Sequence, residues 1–433
     1  MTARQTALAA LIACRKQNAW SDGILKEYIA RDRLDRRDAA LASRLCYGVL
    51  QNQMLLDFYI SAFLKGKLKD LQPVVLDILR LGAYQITMTD KIPASAAVNE
   101  AVEQGKKYAN HRAAGLINGV LRAMARAEQL PQPAELAIRY SHPEPLVALL
   151  RESIGEELLP ALLESHNTAP RTVVQVNTVK VSAGEAAELL QKQGVGCEKH
   201  PWLPDCYYLT GTGSIEGLDA FRDGLVYVQD PAARLAAVCA GVEPGMRVLD
   251  CCAAPGGKSF AAAIQMKNQG RIHSCDLHPH KIALIEKGAA RLGLTILAPQ
   301  LQNAVEAVPQ WEGAMDAVLA DVPCSGLGVI RKKPDIRYKD LTQMEGLPRV
   351  QAAILERQAA YVRPGGVLVY STCTVLKREN EEIVTAFLEK HPEFVPEDLN
   401  LPAACGLSGA MATFLPCCQG TDGFFLAKMR KKQ

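Results

Sequence analysis

The chain has 433 residues, of which 48% are hydrophobic and 22% charged, and a net charge of +3. That length predicts two or more domains, and the balance is ordinary for a soluble globular protein. No apolar run approaches the ~20 residues that a membrane helix needs, and the first thirty residues carry no secretory core or cleavage site.

The expected compartment is therefore the cytoplasm, with no membrane partner. Thirteen cysteines is an odd count, and no C-x-x-C pair occurs. This fits neither a zinc site nor a disulfide framework, so most of these thiols read as small buried hydrophobes. The charge is unevenly spread. Residues 1–130 hold 19 basic and 12 acidic residues, and the remaining 303 hold 30 and 34. A basic N-terminal unit suggests a polyanionic partner; a solvated helical surface with no partner is the other reading.

Residues 1–130 read as all helix. Apolar positions recur at helical spacing in Ala7 to Cys14, Ala39 to Leu50, Leu76 to Ile86 and Ala113 to Met124. The arginine-dense stretch from Arg31 to Arg37 could form ion pairs along a helix or contact phosphates. Residues 131–165 read as a connector with one or two helices. Arg171 to Asn177, Cys206 to Leu209 and Leu225 to Val228 have strand composition, and Ala183 to Gly194 is helical. Together they predict a small α+β unit over 166–228, in which His200, Trp202 and Tyr207 are packing residues.

The third segment, 229–433, is organised around Val248 to Lys258. A short apolar run ends at Asp250, the turn Cys-Cys-Ala-Ala-Pro-Gly-Gly follows, and Ser259 to Met266 then reads as a helix. Strand, tight turn and helix predict the first crossover of an open parallel sheet, whose ligands lie beyond the C-terminal strand ends. Arg271 to Asp276 is a second strand closed by an acid, the position that commonly takes ribose hydroxyls. Asp316 to Asp321 runs into Val-Pro-Cys324-Ser-Gly, and Gly365 to Cys373 is a further strand. Two strand ends thus each present a cysteine. Arg331 to Arg337, a charged loop marked by Pro334, is read as a phosphate contact near the site or simply a solvated loop. Asp422 to Lys428 is read as a terminal strand closing the sheet edge. His273, His278 and His280 lack metal-site spacing, and no metal is expected.

Two thiols beside a nucleoside cofactor suggest one chemistry. C5 of a pyrimidine is a poor nucleophile, but a thiolate added to C6 makes it carbanion-like and able to attack an electrophilic methyl group. A second group must then remove the C5 proton. A free thiol titrates near ~8.5, so the attacking cysteine needs activation. Asp321, three residues before Cys324, suits the base edge, and a paired base would have to be flipped or already single-stranded.

Family resemblances sharpen this reading. Arg37 to Gly48, Leu79 to Gln85, Ile92 to Glu100 and Leu116 to Arg122 resemble, in order, the blocks of the NusB-like RNA-binding helical domain. Asp250-x-Cys-Ala-Ala-Pro-Gly-Gly-Lys258, Asp321-x-Pro-Cys-Ser-Gly326, and Ser371-Thr-Cys373 followed by Glu379-Asn-Glu381 resemble the RNA cytosine-5 methyltransferases. Over nearly its whole length the chain resembles the RsmB (Sun/Fmu) type, which methylates small-subunit ribosomal RNA.

The resemblance implies a multidomain fold. An all-α NusB-like RNA-binding domain (1–130) and a connector (131–165) precede a small α+β, ferredoxin-like unit (166–228) and a Rossmann-like methyltransferase domain (229–433). It implies Cys373 as nucleophile, Cys324 as the base that resolves the adduct, and Asp321 between cofactor and target base. S-adenosylmethionine would lie on Cys252, Ala253, Ala254, Pro255, Gly256, Gly257 and Lys258, with Asp276 on its ribose. Asn303 stands where the family usually carries Asp near adenine, and Lys377-Arg-Glu-Asn-Glu381 replaces a more acidic run. The implied substrate is 16S ribosomal RNA, unassembled or partly assembled, and a monomer is the default. Two other readings stand against this one: a non-catalytic, antitermination-like RNA-binding factor with a relic cofactor domain, and an amino-group methyltransferase. The latter would favour a polar-Pro-Pro-aromatic turn where this chain has Asp-Val-Pro-Cys.

Overall fold

The computed structural model describes residues 1–17 and 21–433. They form two compact units, one of residues 1–168 with 330–339, the other of residues 169–329 with 340–433.

The first unit is helical: α1 (Ala3–Gln17), α2 (Ser21–Arg31), α3 (Arg36–Gln51), α4 (Gln53–Phe63), α5 (Pro73–Met88), α6 (Ala94–Tyr108), α7 (His111–Arg126), α8 (Leu136–Arg139), α9 (Glu144–Ile154) and α10 (Leu159–Ser165). Side-chain caps fix two of the starts. Asp35 accepts from the Asp38 amide at α3, and Asn110 accepts from the Ala113 amide at α7. Leu45, Ile60, Ile78, Leu79, Ile117 and Leu121 form a fully buried core. Residues 131–165 hold three helices where one or two were expected.

Residues 330–339 complete this unit, and the expectation of a phosphate-binding or solvated loop is corrected here for Arg337, while Lys332 and Lys333 are exposed. Pro334–Tyr338 is a 3₁₀ turn, and Arg337 is only 1% exposed. Its guanidinium donates to the carbonyls of Gln51, Tyr140, Ser141 and His166 and to Asn167 Oδ1. A buried cation whose two terminal nitrogens are already held by buried oxygens cannot also meet a phosphate.

The second unit contains two sheets. The smaller is antiparallel, in the order β2-β3-β1-β4, from β1 (Thr172–Val176), β2 (Gly196–Lys199), β3 (Cys206–Thr210) and β4 (Val226–Val228), with α11 (Ala183–Lys192) and α12 (Asp219–Arg222). A full capping box of Ser182 and Glu185 starts α11. Strand β2 is additional to the sequence reading; it is largely exposed and lacks the apolar alternation that marks a strand.

The larger sheet follows α13 (Pro231–Cys239). It uses β5 (Arg247–Asp250), α14 (Gly257–Gln265), β6 (Arg271–Asp276), α15 (Pro279–Leu292), β7 (Leu297–Leu301) and β8 (Met315–Asp321). It continues with α16 (Leu347–Tyr361), β9 (Val362–Thr372), α17 (Glu381–Lys390), β10 (Phe394–Pro396), β11 (Met411–Phe414), α18 (Pro416–Gln419) and β12 (Phe424–Lys431). The order is β10-β12-β9-β8-β5-β6-β7, with β11 also on β12. Strands β9, β8, β5, β6 and β7 are parallel, and β12 runs antiparallel to β9. The terminal strand is therefore interior, not the edge. It pairs with β9 on one side and with β10 and β11 on the other, two strands too short to stand out in the sequence. The strand order reverses beside β5, which opens a crevice at the C-terminal ends of β5 and β8. No helix among the described residues is long and apolar enough to cross a membrane.

Candidate active site

The turn after β5 is built by its glycines and its acid. Gly256 has φ +113°, and a Cβ there would lie 2.2 Å from the Phe260 ring. Only glycine meets both demands. Asp250 is fully buried. It accepts from Ser259 Oγ at 2.7 Å, and Ser274 Oγ donates on to Ser259 at 2.9 Å. This chain of polar groups ties the ends of β5 and β6 to the start of α14. Burial, opposed by the Ser259 hydrogen bond, raises the Asp250 carboxyl to about 7.

A cavity of about 830 Å³ opens at the switch point, within the size range of small-molecule sites. Of the residues singled out in the sequence, Cys252, Ala254, Asp276, Asn303, Asp321, Cys324 and Cys373 line it. Ala253, Pro255, Gly256, Gly257 and Lys258 are not in its wall. They make the turn beneath it and, through Lys258, its electrostatics. Asp276 Oδ1 accepts from the His278 amide and lies 3.5 Å from Lys281 Nζ. Asn303 Oδ1 accepts from the Val305 amide, while its Nδ2 donates to Glu306. Leu277 and Val305, exposed by 56% and 40%, flank the cavity with apolar surface. An acid for ribose hydroxyls, an amide beside it and apolar faces for an adenine suit a nucleoside cofactor.

The reactive groups sit at the ends of β8 and β9. Cys324 and Cys373 are in contact, with Sγ atoms 3.2 Å apart. Cys373 is drawn below the ordinary thiol range, first by the hydrogen bond from Cys324, then by Lys258, against burial and the Asp321 charge. Cys324 is pushed well above it by the same hydrogen bond, by burial, and by the charges of Cys373 and Glu379. The shared contact makes the pair unequal, Cys373 being the more acidic thiol and Cys324 the less acidic one. Asp321 accepts from Lys258 Nζ at 2.6 Å and from Ser371 Oγ at 2.8 Å. Burial works against the Lys258 ammonium, but Asp321 holds it charged, with its affinity for the proton raised overall.

Sequence reasoning missed two contributors, α16 and Gly328, and did not foresee the partner of a residue it had named, Lys258. Lys258 faces Asp321 and Cys373, not the cavity wall. Helix α16 supplies Arg349, Val350 and Ile354 to the cavity, and nothing in its sequence marks it as a wall. Gly328 donates its amide to the Cys373 carbonyl, and a Cβ on it would lie 1.9 Å from the Gly423 carbonyl oxygen. The histidines do not gather: His273 packs on Trp311, while His278 stacks on His280. Among the described residues no three potential metal ligands converge.

Sheet order, glycine turn and nucleoside crevice together define a Rossmann-like methyltransferase domain. Residues 238–430 match the family described as 16S rRNA methyltransferase RsmB/F, residues 1–126 match the NusB family, and residues 142–216 match the RsmF/B ferredoxin-like domain. The chain is 38% identical to the probable ribosomal RNA small subunit methyltransferase B of Bacillus subtilis, covering 99% of this chain and 98% of that one. It is 33% identical to the ribosomal RNA small subunit methyltransferase B of Klebsiella pneumoniae, with 93% and 92% covered. Among solved structures, PH0851 superposes with a TM-score of 0.81 at 26% identity over 99% of both chains. NSun6 from Pyrococcus horikoshii, solved with the S-adenosylmethionine analogue SFG, gives 0.60 at 22% identity, over 67% of this chain and 98% of that one. The chain belongs to the RsmB/F family of 16S rRNA methyltransferases, and its cofactor is S-adenosylmethionine.

Proposed function

We propose that the protein methylates C5 of a cytosine in 16S ribosomal RNA through a covalent adduct between Cys373 and C6. The observation that carries this reading is the contact of two thiols at adjacent strand ends, the more acidic being Cys373, beside Asp321 and the nucleoside cavity. S-adenosylmethionine supplies an electrophilic methyl group; Asp276 and Asn303 would hold its nucleoside, and the turn 252–258 its remainder.

Cys373 Sγ adds to C6, and the displaced π pair makes C5 nucleophilic. Asp321, fixed by Lys258 and Ser371, meets the N3 and amino edge of the base. After C5 has taken the methyl group, Cys324 accepts the C5 proton, the electron pair re-forms C5=C6, and Cys373 leaves as thiolate. Nucleophile and base act from opposite sides of the ring, so the 3.2 Å thiol contact opens when the base enters. The basic NusB-like segment 1–130 and the α+β unit 166–228 hold the RNA, which is taken before or during subunit assembly. The enzyme works in the cytoplasm as a monomer.

The test uses wild type and Cys324→Ala with S-adenosylmethionine and deproteinised 16S rRNA. The variant should build a protein–RNA adduct that migrates slowly on a denaturing gel, and Cys373→Ala added to it should abolish the adduct. Methylation by wild type without any adduct in Cys324→Ala would show the two thiol roles to be wrong.

A further inference from the structure

The motif Glu379-Asn380 follows the proposed nucleophile by several residues and lies outside the cavity wall, and both side chains are completely buried. A buried carboxylate is costly unless hydrogen bonds satisfy it. Glu379 Oε2 accepts from the Ser325 amide at 2.9 Å and from Gln351 Nε2 at 2.8 Å. The same Gln351 nitrogen donates to the Pro323 carbonyl at 3.0 Å. The residues on both sides of Cys324 are therefore held by Glu379 and its partner on α16. Asn380 does the equivalent for Cys373. Its Oδ1 accepts from Thr372 Oγ1 at 2.6 Å, and its Nδ2 donates to the Thr374 carbonyl at 3.1 Å. Two further bonds lace the halves together: Tyr370 Oη to the Glu379 carbonyl at 2.6 Å, and Ser325 Oγ to Thr374 Oγ1 at 2.8 Å.

We propose that Glu379 and Asn380 are separate positioning residues for the two thiols, Glu379 setting Cys324 for proton removal and Asn380 setting Cys373 for attack. This rests on the thiol roles proposed above. Neighbours in sequence thus serve opposite ends of the reaction. Loss of Glu379 leaves attack and methyl transfer intact but slows release, whereas loss of Asn380 slows attack itself. A merely structural role would lower both alike.

Glu379→Ala should lower turnover at least about tenfold and accumulate the protein–RNA adduct to several times the wild-type level. Glu379→Gln keeps an oxygen that can accept from both donors, and should restore release without adduct. Asn380→Ala should lose turnover without adduct, and in a Cys324→Ala background it should cut the trapped adduct about tenfold. Cofactor binding by equilibrium dialysis should stay within about twofold in each variant, reporting an intact domain. Should Glu379→Ala fail to fold, Gln351→Leu removes the other half of the clamp and should build adduct by itself. The assignment is overturned if Glu379→Ala binds cofactor but loses turnover without adduct, if Asn380→Ala builds adduct, or if Gln351→Leu matches wild type. If Cys324→Ala forms no adduct while wild type still methylates, the fault lies in the thiol roles and not in the clamp.

Discussion

Asp250 is a buried carboxyl with one strong partner, Ser259, and an Oδ1 that finds none among the described residues. Its proton is bound more tightly in the fold, about 7 against 3.8. Between those values the unfolded chain releases this proton while the folded chain keeps it. Its contribution to stability therefore falls as pH rises through the window, a penalty on the order of 4 kcal/mol that is complete above about 7. Asp250→Asn keeps the acceptor for Ser259 and removes the titration. Its urea midpoint should gain on wild type between about pH 4 and about pH 7 and hold that gain above it, and parallel pH profiles for the two proteins would contradict the assignment. At this scale the sequence was most informative where a motif closes a strand: Cys324, Cys373 and Asp321 line one cavity. It was least informative where a role depends on a distant partner. Lys258 stands inside a cofactor motif but faces Asp321, and Gln351 is one polar residue in an ordinary helix.

Within the helices of the first unit, glycines divide into two kinds. A Cβ on Gly48 of α3 would lie 2.0 Å from the Tyr84 ring, whereas on Gly115 and Gly119 of α7 it would meet nothing within 4 Å. Replacing an exposed helical glycine by alanine stabilises by up to ~1 kcal/mol, and overpacking a core costs ~1–3 kcal/mol. Gly115→Ala and Gly119→Ala should therefore raise the melting temperature, and Gly48→Ala should lower it. A thermal scan giving all three the same sign would contradict this division. Helix periodicity made these elements legible because each buries one face. Strands β2, β10 and β11 were not legible, being three or four residues long and largely exposed or paired only at the margin of a sheet.

Across the whole molecule, the least legible feature is the return of residues 330–339 to the helical unit. Six charged side chains and a proline look like a surface loop; only the structure shows Arg337 surrounded by acceptors contributed by residues 51 and 140–167. Burial lowers the Arg337 proton affinity to about 10, yet it remains charged at neutral pH. Arg337→Met leaves those buried oxygens without their donor and should destabilise the helical unit by ~2–4 kcal/mol. A fragment ending at Thr168 should melt lower than the same unit in the full chain, and a peptide of residues 330–339 added to it should raise its melting temperature. No effect of the peptide, together with a wild-type melting curve for Arg337→Met, would refute this. The same insertion imposes an order on biogenesis. Residues 1–168 of the helical unit leave the ribosome before the methyltransferase strands, but its last structural piece is encoded more than 160 residues later. At ~5–20 residues per second, the finished N-terminal fold waits on the order of ten to thirty seconds for the methyltransferase strands to be made. The two halves of the protein thus mature together, although they are read one after the other.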